Sequence, residues 1–357
     1  MEYDIAIIGG GINGVSIARL AAEHNLKVIL FEKTKLSAGA SSKTSKLAHG
    51  GLRYLEQFNF GLVREALRER NDLLKFHSDT VKPLPFIYPV NNKECKLKIW
   101  AGMMLYDILS YGSTMPKSCK FTIDKTVLHL PWLNINNILY SYCYYDAIMD
   151  DYQIVIDIAD DAIKQGALIC ENEQVIDVKE CNDNIHVKTT NFSVDVKYVI
   201  NATGAWSNDI TKKDYVRPSK GVHIITNKIT SDYASILRSP KDNRVFFTIP
   251  YKNNTIIGTT DTFYNGDLDN VVALDEDINY IIDSFNSFSK IKIKTDDVLD
   301  TYAGLRPLAK NTGVFASALS RDVSLIESDK MLSIVGGKYT THRAVARDVL
   351  KRILKNV

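Results

Sequence analysis

The chain has 357 residues, of which 45% are hydrophobic and 24% charged, and its formal net charge is +2. That balance is globular and excludes disordered and collagen-like classes. The near-neutral charge, with no long run of one sign, excludes an extended nucleic-acid field, so no nucleic-acid partner is expected.

The length is enough for two domains with separate cores, or for one domain with an insertion. The five cysteines, Cys95, Cys119, Cys143, Cys170 and Cys181, form no C-x-x-C pair. No zinc or thioredoxin-type site is therefore expected. Their odd number, with no secretory signal, suggests reduced thiols and a cytoplasmic location. Residues 4–8 already read as a strand, so no targeting peptide is expected ahead of them. No apolar stretch reaches the ~20 residues that a membrane span needs.

In chain order, residues 3–8 read as a short buried parallel strand. A Gly-rich turn and a helix over residues 15–23 follow, then a second strand over residues 27–31. This is a βαβ unit of about 30 residues. Residues 35–51, rich in Ser, Gly, Ala and Lys, read as loop. Residues 60–76 have helical spacing, and Pro83, Pro85 and Pro89 are expected to break the next segment. Residues 97–109 form an apolar helix candidate, and residues 151–165 a helix closed by Gly166. Strands are expected around residues 174–179, 185–188, 198–201, 222–225, 245–249 and 255–258. A helix over residues 275–288, a strand over 331–335 and a final helix from Thr340 complete the reading.

Gly9, Gly11 and Gly14 fit G-x-G-x-x-G between the first strand and its helix, with Ile12 and Asn13 inside the motif. Such glycines allow the tight turn, the approach of backbone to a pyrophosphate, and close helix–strand packing. The helix N-terminus adds N–H groups and a favourable dipole. Glu32 ends the second strand, where an acid accepts hydrogen bonds from an unphosphorylated ribose. This motif alone leaves FAD and NAD open. Two later strand-end turns, Ala202-Thr203-Gly204 and Gly336-Gly337-Lys338-Tyr339-Thr340, favour FAD. A long cofactor crossing a sheet needs close approach at several strand ends, and a helix start near Thr340 suits a reduced flavin.

The run from Ser41 through Lys43, Ser45, Leu47, His49, Gly50, Gly51, Leu52, Arg53 and Tyr54 to Glu56 resembles the signature of FAD-dependent glycerol-3-phosphate dehydrogenases. So do Gly304-Leu305-Arg306-Pro307, Val335 to Thr341, and Ile257 to Asp261. The resemblance implies an α/β fold of D-amino-acid-oxidase type. A Rossmann-like FAD domain would come from residues 1–80, 145–215 and 300–357, and a mixed-sheet substrate domain from 81–144 and 216–299. It implies cofactor contacts from Ser41, Ser42, Ser45, Leu47, His49, Gly50, Gly51, Val175, Ala202, Thr203, Gly204, Gly337, Lys338, Tyr339 and Thr340. It also implies hydride transfer from glycerol 3-phosphate to flavin N5, with a quinone as acceptor. Larger members carry a further C-terminal helical domain that this chain is read as lacking, which bears on their homodimer contacts and quinone coupling.

Glycerol 3-phosphate needs cations for its phosphate and a base for its alcohol proton. Arg53, Arg306 and Arg321 are the phosphate candidates, because a guanidinium binds oxyanions bidentately. Tyr54 is a further donor, and Lys338 a group to stabilise developing negative charge. His223 and His49 are the base candidates, with His223 favoured. Two other readings stay open: an oxidase passing electrons to oxygen, and a non-catalytic flavoprotein subunit. Lys93, Lys96 and Lys98 ahead of an apolar run with Trp100 raise peripheral contact with an anionic membrane face.

Overall fold

The computed structural model describes residues 2–91, 94–181, 183–230, 232–310, 323–328 and 330–355. The βαβ unit is present as β1 (Glu2–Ile8), α1 (Ile12–Glu23) and β2 (Val28–Phe31). β1 is central in the first sheet and pairs in parallel with β2 and with Ser193–Asn201. The latter strand pairs in parallel with Met331–Gly336, and β2 with Leu168–Cys170. Among the described residues this sheet has eight strands.

Why the strand ends become a site follows from the registers. Ile8 lies opposite both Phe31 and Asn201, and Asn201 lies opposite Ser333. Four chain segments therefore leave the sheet at one edge: the Gly9 turn, Glu32, Ala202–Gly204 and Gly336–Gly337. Ligands of open parallel sheets bind beyond this carboxyl edge. The strands reach it through a dry core. Ile5, Ile7, Val28 and Leu30 are fully buried, and α1 packs Val15, Ala18 and Ala21 into the same cluster as Ile154, Ile158 and Val349. Each large aliphatic side chain so buried contributes about 1.5–3 kcal/mol, which keeps the edge rigid.

The second sheet has ten strands among the described residues, centred on Val216–Asn227, Asn254–Gly258, Val81–Asn91 and Ile138–Met149. The boundary expected at residue 300 falls inside the strand Val298–Ala309, which pairs along Val216–Asn227 in this sheet. The one expected at 145 falls inside Ile138–Met149. The strand Leu47–Ala48 of the signature loop also joins this sheet.

The prolines behave differently from expectation. Val81–Asn91 is one continuous strand despite Pro83, Pro85 and Pro89. Their even spacing puts all three missing donors on one edge, and the alternate residues keep the ladder to Ile138–Met149 intact. Among the described residues the opposite edge carries only two parallel pairings, at Phe86 and Ile87, so little is lost there. No helix among the described residues is long and apolar enough to cross a membrane.

Candidate active site

The carboxyl edge of the first sheet opens into one continuous cleft of about 1470 Å³ that extends along the face of the second sheet. That exceeds the usual ligand pocket of roughly 300–1,000 Å³, so it has room for an extended dinucleotide and a small substrate together.

One end of the cleft is made of backbone. Gly9 has φ of 108°, and a Cβ there would lie 2.7 Å from the Ala202 carbonyl oxygen. A Cβ on Gly14 would collide with the carbonyl of Gly9. Both positions therefore exclude side chains, for the turn and for the helix–strand approach respectively. Gly11 caps α1 without a side chain, and the Ile12 N–H donates to Ser41 Oγ at 2.9 Å. Asn13 Oδ1 is buried with no hydrogen-bond partner among the described residues. Glu32 accepts from the Gly10 N–H at 2.8 Å and from the Thr34 N–H and hydroxyl at 3.0 and 3.1 Å. An ionised carboxylate has about four acceptor sites, so capacity remains for a ribose hydroxyl. An orphaned acceptor, a helix start whose N-cap residue has no side chain and a cradle that a Cβ would fill all fit a dinucleotide.

The other end is made of side chains. His223, only 1% exposed, stacks on Tyr302 with ring centroids 4.7 Å apart and 13° between planes. Its Nε2 meets Ser45 Oγ at 2.8 Å. Burial first, then the charges of Arg306 and Lys46, pulls its pKa well below the usual histidine value. The ring is neutral at pH 7 and so in the form that accepts a proton. Arg306 donates to Thr259 Oγ1 at 2.9 Å and the Thr260 carbonyl at 3.2 Å, and pairs with Asp261 at 3.2 Å. A Cβ on Gly221 would collide with this guanidinium. Lys338 Nζ lies 3.8 Å over the Tyr54 ring.

Most of the residues named from sequence line this one cleft. They are Gly9, Gly11, Ile12, Asn13, Glu32, Ser41, Ser45, Leu47, His49, Gly51, Tyr54, Val175, Ala202, Thr203, Gly204, His223, Arg306, Gly337, Lys338, Tyr339 and Thr340. Gly14, Ser42 and Gly50 stand behind the wall. Gly50 is held there because its N–H donates to Asp146 at 3.0 Å. The side chain of Arg53 and the whole of Arg321 lie outside the described residues, as does Lys93. Ser45, expected on the cofactor, lines the cleft and bonds to His223.

Several residues of the site carried no local signal. Asp146, 2% exposed, accepts from Arg70 at 2.8 Å and Tyr106 at 2.7 Å as well as from Gly50. Burial pushes its pKa up, and Arg70 opposes that shift. Asp151 is fully buried and pairs with Lys46 at 2.6 Å. Asp261 lies within a run that resembled the family, but only the fold shows it as the partner of Arg306.

The family model described as "FAD dependent oxidoreductase" matches residues 4–343. Glycerol-3-phosphate dehydrogenase 2 of Mycobacterium bovis is 38% identical over 367 residues, which cover 98% of this chain. This chain spans 62% of the length of that relative. A D-erythritol 1-phosphate dehydrogenase of Brucella abortus is 34% identical, covering 98% of this chain and 73% of that protein. The solved structure of the glycerol-3-phosphate dehydrogenase from Bacillus halodurans complexed with FAD has the same fold, with a TM-score of 0.79 at 24% identity. That match covers 99% of this chain and 64% of the other. With the glycine cradle, the orphaned Asn13 acceptor and Glu32 at the end of the second strand already in place, the match over nearly the whole chain shows that the protein belongs to the FAD-dependent oxidoreductase family.

Proposed function

We propose that the protein oxidises a phosphorylated polyol, sn-glycerol 3-phosphate, to dihydroxyacetone phosphate. The carrying observation is a neutral, buried His223 beside Arg306 in the cleft that also holds the dinucleotide cradle. A bound FAD supplies the two-electron acceptor at this site. His223 receives the alcohol proton as a neutral imidazole. Arg306 meets the phosphate. Its pairing with Asp261 fixes the planar fork and offsets part of its charge. Lys338 stands near Tyr54 to balance negative charge that develops on oxygen. Tyr302 packs flat against the imidazole and covers that face of the ring.

The test is anaerobic addition of glycerol 3-phosphate to the FAD-loaded protein. Loss of the visible flavin band supports the reading, and an unchanged band overturns it. The Brucella relative supports a second substrate, D-erythritol 1-phosphate, for the same chemistry. Tighter half-saturation of the bleaching by the longer phosphate would favour that substrate.

A quinone is the proposed acceptor, with oxygen as the alternative. Reoxidation of the bleached protein by a quinone faster than by air supports the first. A cytoplasmic location against a membrane face is part of this proposal. The helix Lys96–Leu109 buries Met103 and Tyr106 and exposes Leu97, Trp100, Met104 and Ile108 along its other side. Phe58 and Phe60 are also exposed, and Lys96 and Lys98 lie at the start of the helix. Basic residues at the edge of an apolar face with Trp suit an anionic bilayer. Sedimentation with anionic but not neutral vesicles, lost in Trp100→Glu, tests it.

A further inference from the structure

The base assigned to His223 has a restricted route to the cleft. Its Nδ1 is buried and has no hydrogen-bond partner among the described residues. Only Nε2 is engaged, at 2.8 Å, by Ser45 Oγ from the signature loop. A proton entering this ring from the cleft has to enter at Nε2, on the side where Ser45 stands.

The placement of Ser45 is itself heavily built. The Thr44 N–H and hydroxyl both donate to Asp151 Oδ2, at 3.2 and 2.6 Å. The Lys46 N–H returns to Thr44 Oγ1 at 2.9 Å, and Lys46 Nζ reaches Asp151 Oδ1 at 2.6 Å and the Ser42 carbonyl at 2.7 Å. Tyr302, the ring that stacks on His223, donates its hydroxyl to the Thr44 carbonyl at 3.0 Å. Both neighbours of Ser45 are thus tied to a fully buried carboxylate, and the loop is tied to the histidine's own stacking partner. A buried charge so fully hydrogen-bonded is costly to leave half-satisfied, so the loop has little freedom to move Ser45 away.

We propose that Ser45 relays the substrate proton to His223: its Oγ, which lines the cleft, takes the alcohol proton as it gives its own to Nε2, with Thr44, Lys46 and Asp151 as the clamp that holds it. This rests on the reading of His223 as the base. Among the described residues no second group hydrogen-bonds the ring, and Tyr302 contacts its face.

The experiment compares Ser45→Ala, Ser45→Thr and His223→Asn, each loaded with FAD, by stopped-flow bleaching with glycerol 3-phosphate. Ser45→Ala is expected to lower the limiting bleaching rate roughly 10- to 100-fold. The half-saturating concentration should stay within about threefold of the parent, since a proton relay acts on the chemical step. Ser45→Thr, which keeps the hydroxyl, is expected to restore most of the rate, and the flavin spectrum should be normal in all three. A slow His223→Asn with a parent-like Ser45→Ala would overturn the Ser45 role and leave the base in place. Parent-like rates in both would remove the base assignment and the Ser45 role with it.

Discussion

The two ends of the cleft are built differently. The cradle around Gly9, Gly11 and Gly14 is a backbone site, folded from one contiguous stretch of about 30 residues. The end around His223 is a side-chain site. It collects Ser45, Asp151, Asp261, Tyr302 and Arg306 from segments far apart in the chain. A backbone site tolerates few substitutions but needs little tertiary help. A side-chain site tolerates substitution of any one member only if the network behind it stays paired.

That contrast gives predictions of decreasing size. Gly14→Val should abolish FAD binding, because even a Cβ collides with the Gly9 carbonyl and the turn cannot open without losing its approach to α1. Retention of a stoichiometric visible flavin spectrum in that variant would break the backbone-cradle argument.

Asp146→Ala should cost about 3–5 kcal/mol of stability, because it leaves Arg70 buried without its carboxylate. It also releases the Gly50 N–H, so FAD affinity should fall with it. Urea unfolding and a flavin titration check both. A variant of unchanged stability would mean that the pair contributes nothing behind the cradle.

A smaller effect concerns His342, 1% exposed and bonded through Nδ1 to Ser16 at 2.6 Å. Burial, followed by the nearby His77, Arg343 and Arg347 charges, lowers its pKa from 6.5 to about 3. Below pH 6.5 the unfolded chain binds a proton that the folded chain refuses. Stability from this group is therefore full above pH 6.5 and falls by roughly 1.4 kcal/mol per pH unit down to the folded pKa. His342→Gln should flatten the decline in Tm between pH 6.5 and 4. An unchanged slope would place the acid sensitivity elsewhere.

The same contrast explains what could be read from sequence. The βαβ unit and helix Phe60–Phe76 were legible because short-range periodicity and glycine spacing determine them. The strand Val81–Asn91 was not, because its tolerance of three prolines depends on which neighbours it pairs with. His223 and Arg306 could be named as chemical types in matching runs. Their partners could not, since Ser45 meets His223 across 178 positions and Asp261 meets Arg306 across 45. Asp151 reads locally as an ordinary acid in the first turn of a helix, and only the fold turns it inward against Lys46.

The most direct test of separable ends is one preparation of Arg306→Ala, titrated with FAD and then, anaerobically, with glycerol 3-phosphate. FAD affinity and spectrum are expected to stay unchanged. The half-saturating substrate concentration should rise by roughly 10- to 150-fold, as expected for losing about 1.5–3 kcal/mol of charged hydrogen bonding. Loss of FAD with unchanged substrate saturation would contradict the separation of the ends, and would place Arg306 in the cofactor cradle.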